Sequence, residues 1–558
     1  MLDTECACFV GWSSRPLFFL ASEHNSNMGG GLLQLVSYGA QDIYISGNPQ
    51  ITFWKVLFKR HTNFAMESIE VTFNGQADFN KRVTAIINRN ADLMYRTYVQ
   101  VVLPAVDLSA ANTAVSTYVK RFRWLNYVGH RLIKTVELEI GGQRIDRQYG
   151  DWMQIWTQLT QDAGTVRALD EMVGNSHDLV LMKDQMGYAL DQSCSGAELT
   201  NSCAPRAGTP ARTLYIPLQF WFCRNPGLAI PLIALQYHEV RINVEFEQWI
   251  NCSYTELLTG SAPTSIQSLT AASLYIDYVY LDTEERRRFA QQTHEYLIEQ
   301  LQFTGAESIT SSSNKIQLNF NHPVKELIWV CQRDSFVDCS QPPPVPIAEV
   351  NGCQPFNYSD DFTTEGVIMD VLARGSLGGG SNARVVPTTA DGPSGPYLPG
   401  LGIASGPSLG GASWLDALAT NDQSALFEDT TNYLLAKVLL ESGVKCSGKN
   451  PIEVAKLQLN GQDRFTEREG RYFNFVQPYQ HHTRTPTVGI NVYSFALKPE
   501  EHQPSGSCNF SRIDKATLQL TVSVNTVRGG RTAQVRVYAV NYNVLRVMSG
   551  MGGLAYSN

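Results

Sequence analysis

Apolar and polar residues alternate along most of the chain. Ile69, Val71 and Phe73 alternate with Ser68, Glu70 and Thr72, and Val136, Leu138 and Ile140 alternate with Thr135, Glu137 and Glu139. The same period runs through Ile242, Val244 and Phe246, and through Leu518, Leu520, Val522 and Val524. A period of two puts successive side chains on opposite faces, so each segment predicts a strand with one face on a core. Helical spacing is rare. Trp152, Ile155, Trp156 and Leu159 recur at i, i+3, i+4 and i+7 behind Asp151, a candidate N-cap. A second helix is expected from Asp282 to about Leu301, after the strand-like segment Leu274 to Leu281. The pattern predicts an all-β fold with short helices.

The two halves repeat one another. Leu138-Glu139-Ile140-Gly141-Gly142-Gln143 is echoed by Leu457-Gln458-Leu459-Asn460-Gly461-Gln462, each ending an alternating strand in a turn whose glycine accepts positive φ. A related turn stands at Asn74-Gly75-Gln76. Later in the first half a strand over Leu214 to Phe222 precedes Pro226 and a strand over Arg241 to Phe246. In the second half Val488 to Leu497, Pro499 and Thr517 to Val524 follow the same order. Two tandem β domains are the economical reading, with the boundary at the second helix: 51–290 and 291–558. Long insertions interrupt both. One covers about 165–212; the other, about 374–413, is rich in Gly, Ser and Pro and predicts surface loops on a rigid scaffold.

Composition sharpens this picture. A chain of 558 residues exceeds one ordinary core, and 43% hydrophobic against 17% charged residues describes folded domains whose surface is partly covered by other subunits. A net charge of −8 argues against a phosphate-neutralising face, so no direct contact with nucleic acid is expected. The one basic cluster, Arg286-Arg287-Arg288, follows Asp282, Glu284 and Glu285 as on a solvated helix. Eleven cysteines show no CxxC pair, and their odd number favours reduced thiols and synthesis in the cytoplasm. No apolar run is long enough to span a bilayer. Asp3 and Glu5 stand where a secretory leader would be positive, so residues 1–27 are expected to be an upstream extension, with Met28 the alternative start.

Motifs with catalytic spacing fail on context. Gly443 to Asn450 reads G-x-x-x-x-G-K-N, with Asn450 in the place of the magnesium-holding hydroxyl and a strand, not a helix, after it. Gly406-Pro407-Ser408-Leu409-Gly410 lies in the flexible insertion and not between a strand and a helix. His294-Glu295 lacks a second histidine, and His481-His482 lacks the carboxylate partner of a metal-binding barrel. The expectation is no catalytic residue, no metal and no cofactor. Three sequons, at Asn251, Asn357 and Asn509, are candidate glycosylation sites.

The segment Gly30 to Asp42, followed by Ser46-Gly47-Asn48-Pro49-Gln50-Ile51-Thr52-Phe53-Trp54-Lys55 and Arg60-His61-Thr62-Asn63-Phe64, resembles the amino-terminal signature of the major capsid proteins of nucleocytoplasmic large DNA viruses. A second likeness runs through Phe495-Ala496-Leu497-Lys498-Pro499-Glu500, Gln503-Pro504-Ser505-Gly506 and Asn509-Phe510-Ser511-Arg512-Ile513-Asp514. Tyr538 to Arg546 is similar to the family's carboxyl end. The resemblance implies two tandem eight-stranded antiparallel jelly rolls with long loop insertions. It also implies homotrimers forming pseudo-hexagonal capsomers, contacts with neighbouring capsomers and with penton and minor capsid proteins, and a place in the virion capsid. Residues 28–50 would be an arm at the base, facing neighbours or an internal membrane layer. The matched residues would act structurally. The alternative is a carbohydrate-binding jelly-roll lectin, with Tyr397 and Trp414 of the insertion available to stack on sugars.

Overall fold

The computed structural model describes residues 30–51, 53, 58–107, 122–180, 208–255, 268–337, 354–360, 449–527 and 532–556. The chain divides into two units, 1–62 and 63–558. In the first, the short helices Gly30–Val36 and Ile43–Ser46 are linked by a turn in which Gly39 N donates to Asp42 Oδ2 at 2.8 Å.

The second unit holds two jelly rolls in sequence. The first comprises β1 (Phe64–Thr72), β2 (Arg82–Ile87), β3 (Leu93–Leu103), β4 (Ile133–Ile140), β5 (Gln143–Tyr149), β6 (Arg212–Pro217), β7 (Val240–Phe246) and β8 (Ala271–Leu281). All pair antiparallel, in the sheets β1-β8-β3-β6 and β2-β7-β4-β5. The second comprises β9 (His294–Ile309), β10 (Ser313–Leu318), β11 (Pro323–Arg333), β12 (Ile452–Leu459), β13 (Gln462–Asp463), β14 (Ile490–Ser494), β15 (Ala516–Val522) and β16 (Ala533–Met548). Its sheets are β9-β16-β11-β14 and β10-β15-β12-β13, the same order strand for strand. Sandwiching two alternating sheets gives each roll its own core. Val99, Val101, Val136, Leu138, Ile242, Val244, Leu274 and Ile276 lie in the first; Leu327, Trp329, Leu457, Leu518, Leu520, Val535 and Val537 in the second.

The repeated turns have the predicted chemistry. Gly141 and Gly142 (φ +59° and +82°) join β4 to β5, and Asn460 and Gly461 (φ +52° and +82°) join β12 to β13. Two positive-φ residues are what a two-residue hairpin matched to strand twist requires.

Two helical expectations change. α1 (Gly150–Thr160) carries the predicted apolar stripe, but its N-cap is Tyr149; Asp151 sits inside the first turn and pairs with Arg131 and Arg536 instead. α2 (Thr283–Gln291) ends well before Leu301, because His294–Ile309 forms β9 and pairs along its length with β16, from His294↔Val547 to Ile309↔Ala533. A long cross-strand ladder outweighs the local helical spacing. The insertion that follows α1 opens with a helix, Val166–Val173; residues 181–207 of it, and all of 374–413, lie outside the described residues.

Gly150 and Gly470 occupy matching places, each opening the helix after its roll's fifth strand. A Cβ on Gly150 would lie 2.2 Å from His130 O and 2.4 Å from Ile133 O; on Gly470 it would lie 1.9 Å from Ile452 O. Ile133 and Ile452 each begin the fourth strand of their roll. Gly150→Ala and Gly470→Ala are therefore expected to destabilise the chain by about 2 kcal/mol or more, since backbone must move. Gly142→Ala meets no neighbouring atom within 4 Å and should cost only about 1 kcal/mol, from its positive φ. Denaturant titration of the three variants checks this ordering.

Candidate subunit interfaces

The outer faces of the rolls' sheets decide what the molecule can do, because they are where one roll meets another. Inside the chain one such meeting is complete. α1 projects from the first roll and lays Trp152, Ile155, Trp156 and Leu159 on the outer face of the second roll's sheet, against Ile328 and Val330 of β11, Ile490 and Val492 of β14, and Tyr538 and Val540 of β16. Trp152 stands 5.5 Å from Tyr538, ring to ring, and Tyr538 stacks on Phe303 at 4.8 Å. Burying such side chains contributes about 1.5–3 kcal/mol each.

Polar groups fix the register of this seam. The Arg224 guanidinium lies 4.1 Å over the Trp156 ring and donates to Glu299 at 3.0 Å; Lys325 Nζ reaches the other oxygen of Glu299 at 2.7 Å and the carbonyl of Pro499 at 2.6 Å. Asp146 accepts from the backbone N–H of Leu301 at 3.1 Å, and burial raises its carboxyl pKa to about 6 against the pull of those hydrogen bonds. Asp151 bridges Arg131 of its own roll and Arg536 of the other. Gln158 Oε1 accepts from Thr487 N and Oγ1 at 3.1 and 2.7 Å. A strand following β16, Met551–Leu554, crosses back to the first roll, where Tyr237 N donates to Gly550 O at 2.9 Å.

Next to the seam lies a buried ionic group. His482 faces Glu326 through Nε2 at 3.1 Å and Glu500 through Nδ1 at 2.8 Å. Burial disfavours a charged imidazole, yet the two carboxylates outweigh it and raise its pKa to about 9. Burial likewise opposes a charged Glu500, but hydrogen bonds from His482 and Thr483 hold its pKa below the usual carboxylate range. His130 is the opposite case: burial pushes its pKa down to about 4 although Gln154 lies 2.6 Å from Nδ1. Among the described residues no group of three or more His, Cys, Asp or Glu has metal-binding geometry.

The family-like residues fall into two sets. Gly47, Asn48, Pro49, Gln50, Phe53, Arg60, His61 and Thr62 are in the amino-terminal unit and all exposed; Gly47 is the C-cap of Ile43–Ser46, where its N–H donates to Ile43 O at 2.9 Å. Asn63, also exposed, opens the larger unit. Pro499 is buried over Lys325; Gln503, Pro504 and Gly506 form an exposed loop closed by Ser505 Oγ, which accepts from Lys498 N at 2.9 Å. Ser511 Oγ accepts from His322 N at 2.8 Å, Asn509 Oδ1 accepts from Ser511 N at 3.0 Å, and Arg512 and Asp514 face solvent. Of the sequon asparagines, Asn509 is exposed and Asn251 half-buried, its amide on Glu247 at 2.9 Å. Asn357 is 4% exposed and accepts from Ser359 N and Oγ. Sequence reasoning passed over Arg224, Glu299, Lys325 and Glu326; the signal was Lys325-Glu326 inside an otherwise apolar strand.

Known proteins share this architecture and sequence. Residues 52–282 match the family described as major capsid protein N-terminus, and residues 285–553 match that of the large eukaryotic DNA virus major capsid protein. The chain belongs to this major capsid protein family. The major capsid protein of Phaeocystis pouchetii virus is 56% identical over 95% of this chain and 100% of its own, and that of Chrysochromulina ericina virus is 52% identical over the same shares. Among solved structures, the PBCV-1 virus capsid chain aligns with a TM-score of 0.59 at 32% identity, covering 91% of this chain and 100% of that one. The capsid protein is thus a structural component of the virion, with the double jelly roll as its fold. These relatives lend no support to the carbohydrate-binding alternative, whose Tyr397 and Trp414 lie outside the described residues.

Two outcomes are expected for the seam. Trp156→Ala should cost about 3–5 kcal/mol, measured by denaturant unfolding, because it empties a packed site and uncovers Arg224 and Lys325. The second concerns pH. A histidine whose folded pKa is raised to about 9 stabilises the fold fully below the unfolded value of 6.5, and that contribution disappears as pH rises through 9. The stability difference between the native chain and His482→Gln should therefore shrink between pH 6.5 and 10, by an amount on the order of a few kcal/mol; a constant difference would refute a charged His482.

Proposed function

We propose that three copies of this capsid protein close into a pseudo-hexagonal capsomer that tiles the icosahedral shell of a large double-stranded DNA virus. The observation that carries this reading is the likeness of the two rolls: six modules of one topology from three chains make a block with six similar sides. Such a block fills a flat lattice and hides strand edges in packing. The unit of 1–62 supports a second element of the reading. Its exposed Leu35, Val36, Tyr44, Ile45, Ile51 and Phe53 are the surface expected of an arm, over about 28–50 and its continuation, that is covered by neighbouring capsomers, penton or minor capsid proteins, or an internal membrane layer. The sequon at Asn509 is the most accessible of the three, and the virion protein is made in the host cytoplasm. The domains divide near 290, and the family-like residues act by shaping loops.

Light scattering on the purified chain tests the reading. A stable particle of three times the 62.0 kDa chain is expected at micromolar concentration. A folded species of one chain mass would overturn it.

A further inference from the structure

The seam inside the chain has an unused counterpart. Alignment on Gly150 and Gly470 sets helical residues 470–481 against α1, so that Met153 matches Phe473, both buried in their own rolls, and Gln154 matches Asn474, both buried. The outward residues Ile155, Trp156 and Leu159 then match Phe475, Val476 and Tyr479. The first three are buried on the second roll; the latter are 42%, 39% and 83% exposed. The receiving face is duplicated too. Strand register pairs Ile328 with Val492 and Tyr538, and Val330 with Ile490; in the first roll it pairs Tyr98 with Pro217 and Tyr275, and Gln100 with Tyr215. The equivalent of the buried Ile328–Ile490–Tyr538 face is therefore the outer face bearing Tyr98, Tyr215 and Tyr275. There the three rings form a preassembled platform, with Tyr98 stacked on Tyr275 at 5.4 Å and edge-on to Tyr215 at 6.1 Å, and with Tyr215 exposed.

We infer that helical residues 470–481 of one copy dock through Phe475, Val476 and Tyr479 on the Tyr98–Tyr215–Tyr275 face of a second copy of this chain, repeating between chains the packing of α1 within one. The inference rests on the ring reading above and assigns its contact. The occupant is a second copy because the chain already shows this helix-on-sheet fit between its own two rolls, and among the described residues each copy leaves the second helix and its matching face uncovered. The contact is heterologous: a helix of one kind meets a face of another, so the steps propagate around a ring instead of ending in a two-fold dimer. Tyrosines suit a surface that is wet before assembly and covered afterwards, since each ring supplies apolar area and a polar tip.

Two single-sided variants test it, Tyr479→Glu on the helix and Tyr215→Glu on the platform, with Tyr237→Glu as a control at another exposed aromatic, 75% exposed, outside both patches. Near-UV circular dichroism confirms folding, and Tyr479→Ser and Tyr215→Ser replace any variant that fails it. Each variant alone is expected at one chain mass by light scattering, with the control at the native mass. Mixed, the two variants should form a particle of two chains, because the intact helix of one still fits the intact platform of the other while the remaining pair cannot close. Variants that keep the native three-chain mass would overturn the assigned contact and leave the ring reading standing. Variants that stay single when mixed would overturn the heterologous arrangement. A native protein that is itself a single chain would overturn the ring reading, and this contact with it.

Discussion

A jelly roll solves one burial problem and creates another. Facing two sheets inward hides half of their side chains, but the outer faces stay bare, and in this protein the outer face of β11, β14 and β16 carries a cluster of large apolar residues. Ile328, Val330, Ile490, Val492 and Val540 are tolerable only because α1 covers them. The dependence is mutual, since Trp152 and Trp156 would otherwise stand on an unsupported helix too short to persist in water by itself. The second roll therefore needs the first, and the orientation of every other surface follows from how tightly that helix is seated.

Close seating is bought with charge as well as with apolar area. Lys325, Glu299 and Arg224 are drawn out of water together, and a buried set of this kind adds less net stability than well-packed hydrocarbon of the same volume would. What it adds is directionality: Lys325 reaches both Glu299 and the Pro499 carbonyl only in one alignment of β11 with the loop after β14, and Arg224 reaches both Trp156 and Glu299 only in one alignment of the two rolls. His482 between Glu326 and Glu500 ties that same loop to the strand bearing Lys325. The conspicuous sequence Phe495 to Glu500 thus lies against the charged end of the seam.

The alternating faces of β4, β7 and β15 were legible because each strand has apolar residues on one side and polar residues on the other, and the Gly141-Gly142 and Asn460-Gly461 turns because few residues accept two successive positive φ angles. β9 was not. Its first half touches both rolls, with Ile298 in the first core and Leu301 against α1, so it lacks the simple two-residue rhythm, while the preceding Glu and Arg residues extend a helical pattern into it. The charged seam was illegible for a related reason. Lys325 and Glu326 sit at an irregularity in the β11 ladder, and what buries them is distant in sequence: Glu299, Pro499 and His482 of their own roll and Trp156 of the other.

Internal duplication also explains why the two halves have diverged where they have. Positions answering to the inner core keep the same character: Met153 and Phe473, Gln154 and Asn474, Gly150 and Gly470. Positions on the outer faces differ in polarity. The face covered permanently within the chain carries Ile328, Val330 and Ile490 where its counterpart carries Tyr98, Gln100 and Tyr215; Arg536, answered by Ser273, is the exception, and it is paired with Asp151 of the seam. A surface that must be soluble before it finds its partner cannot carry the hydrocarbon load of one that is never exposed after folding. The same helix-on-sheet geometry is thereby used at two polarities, one set by the folding of a chain and one by the meeting of chains.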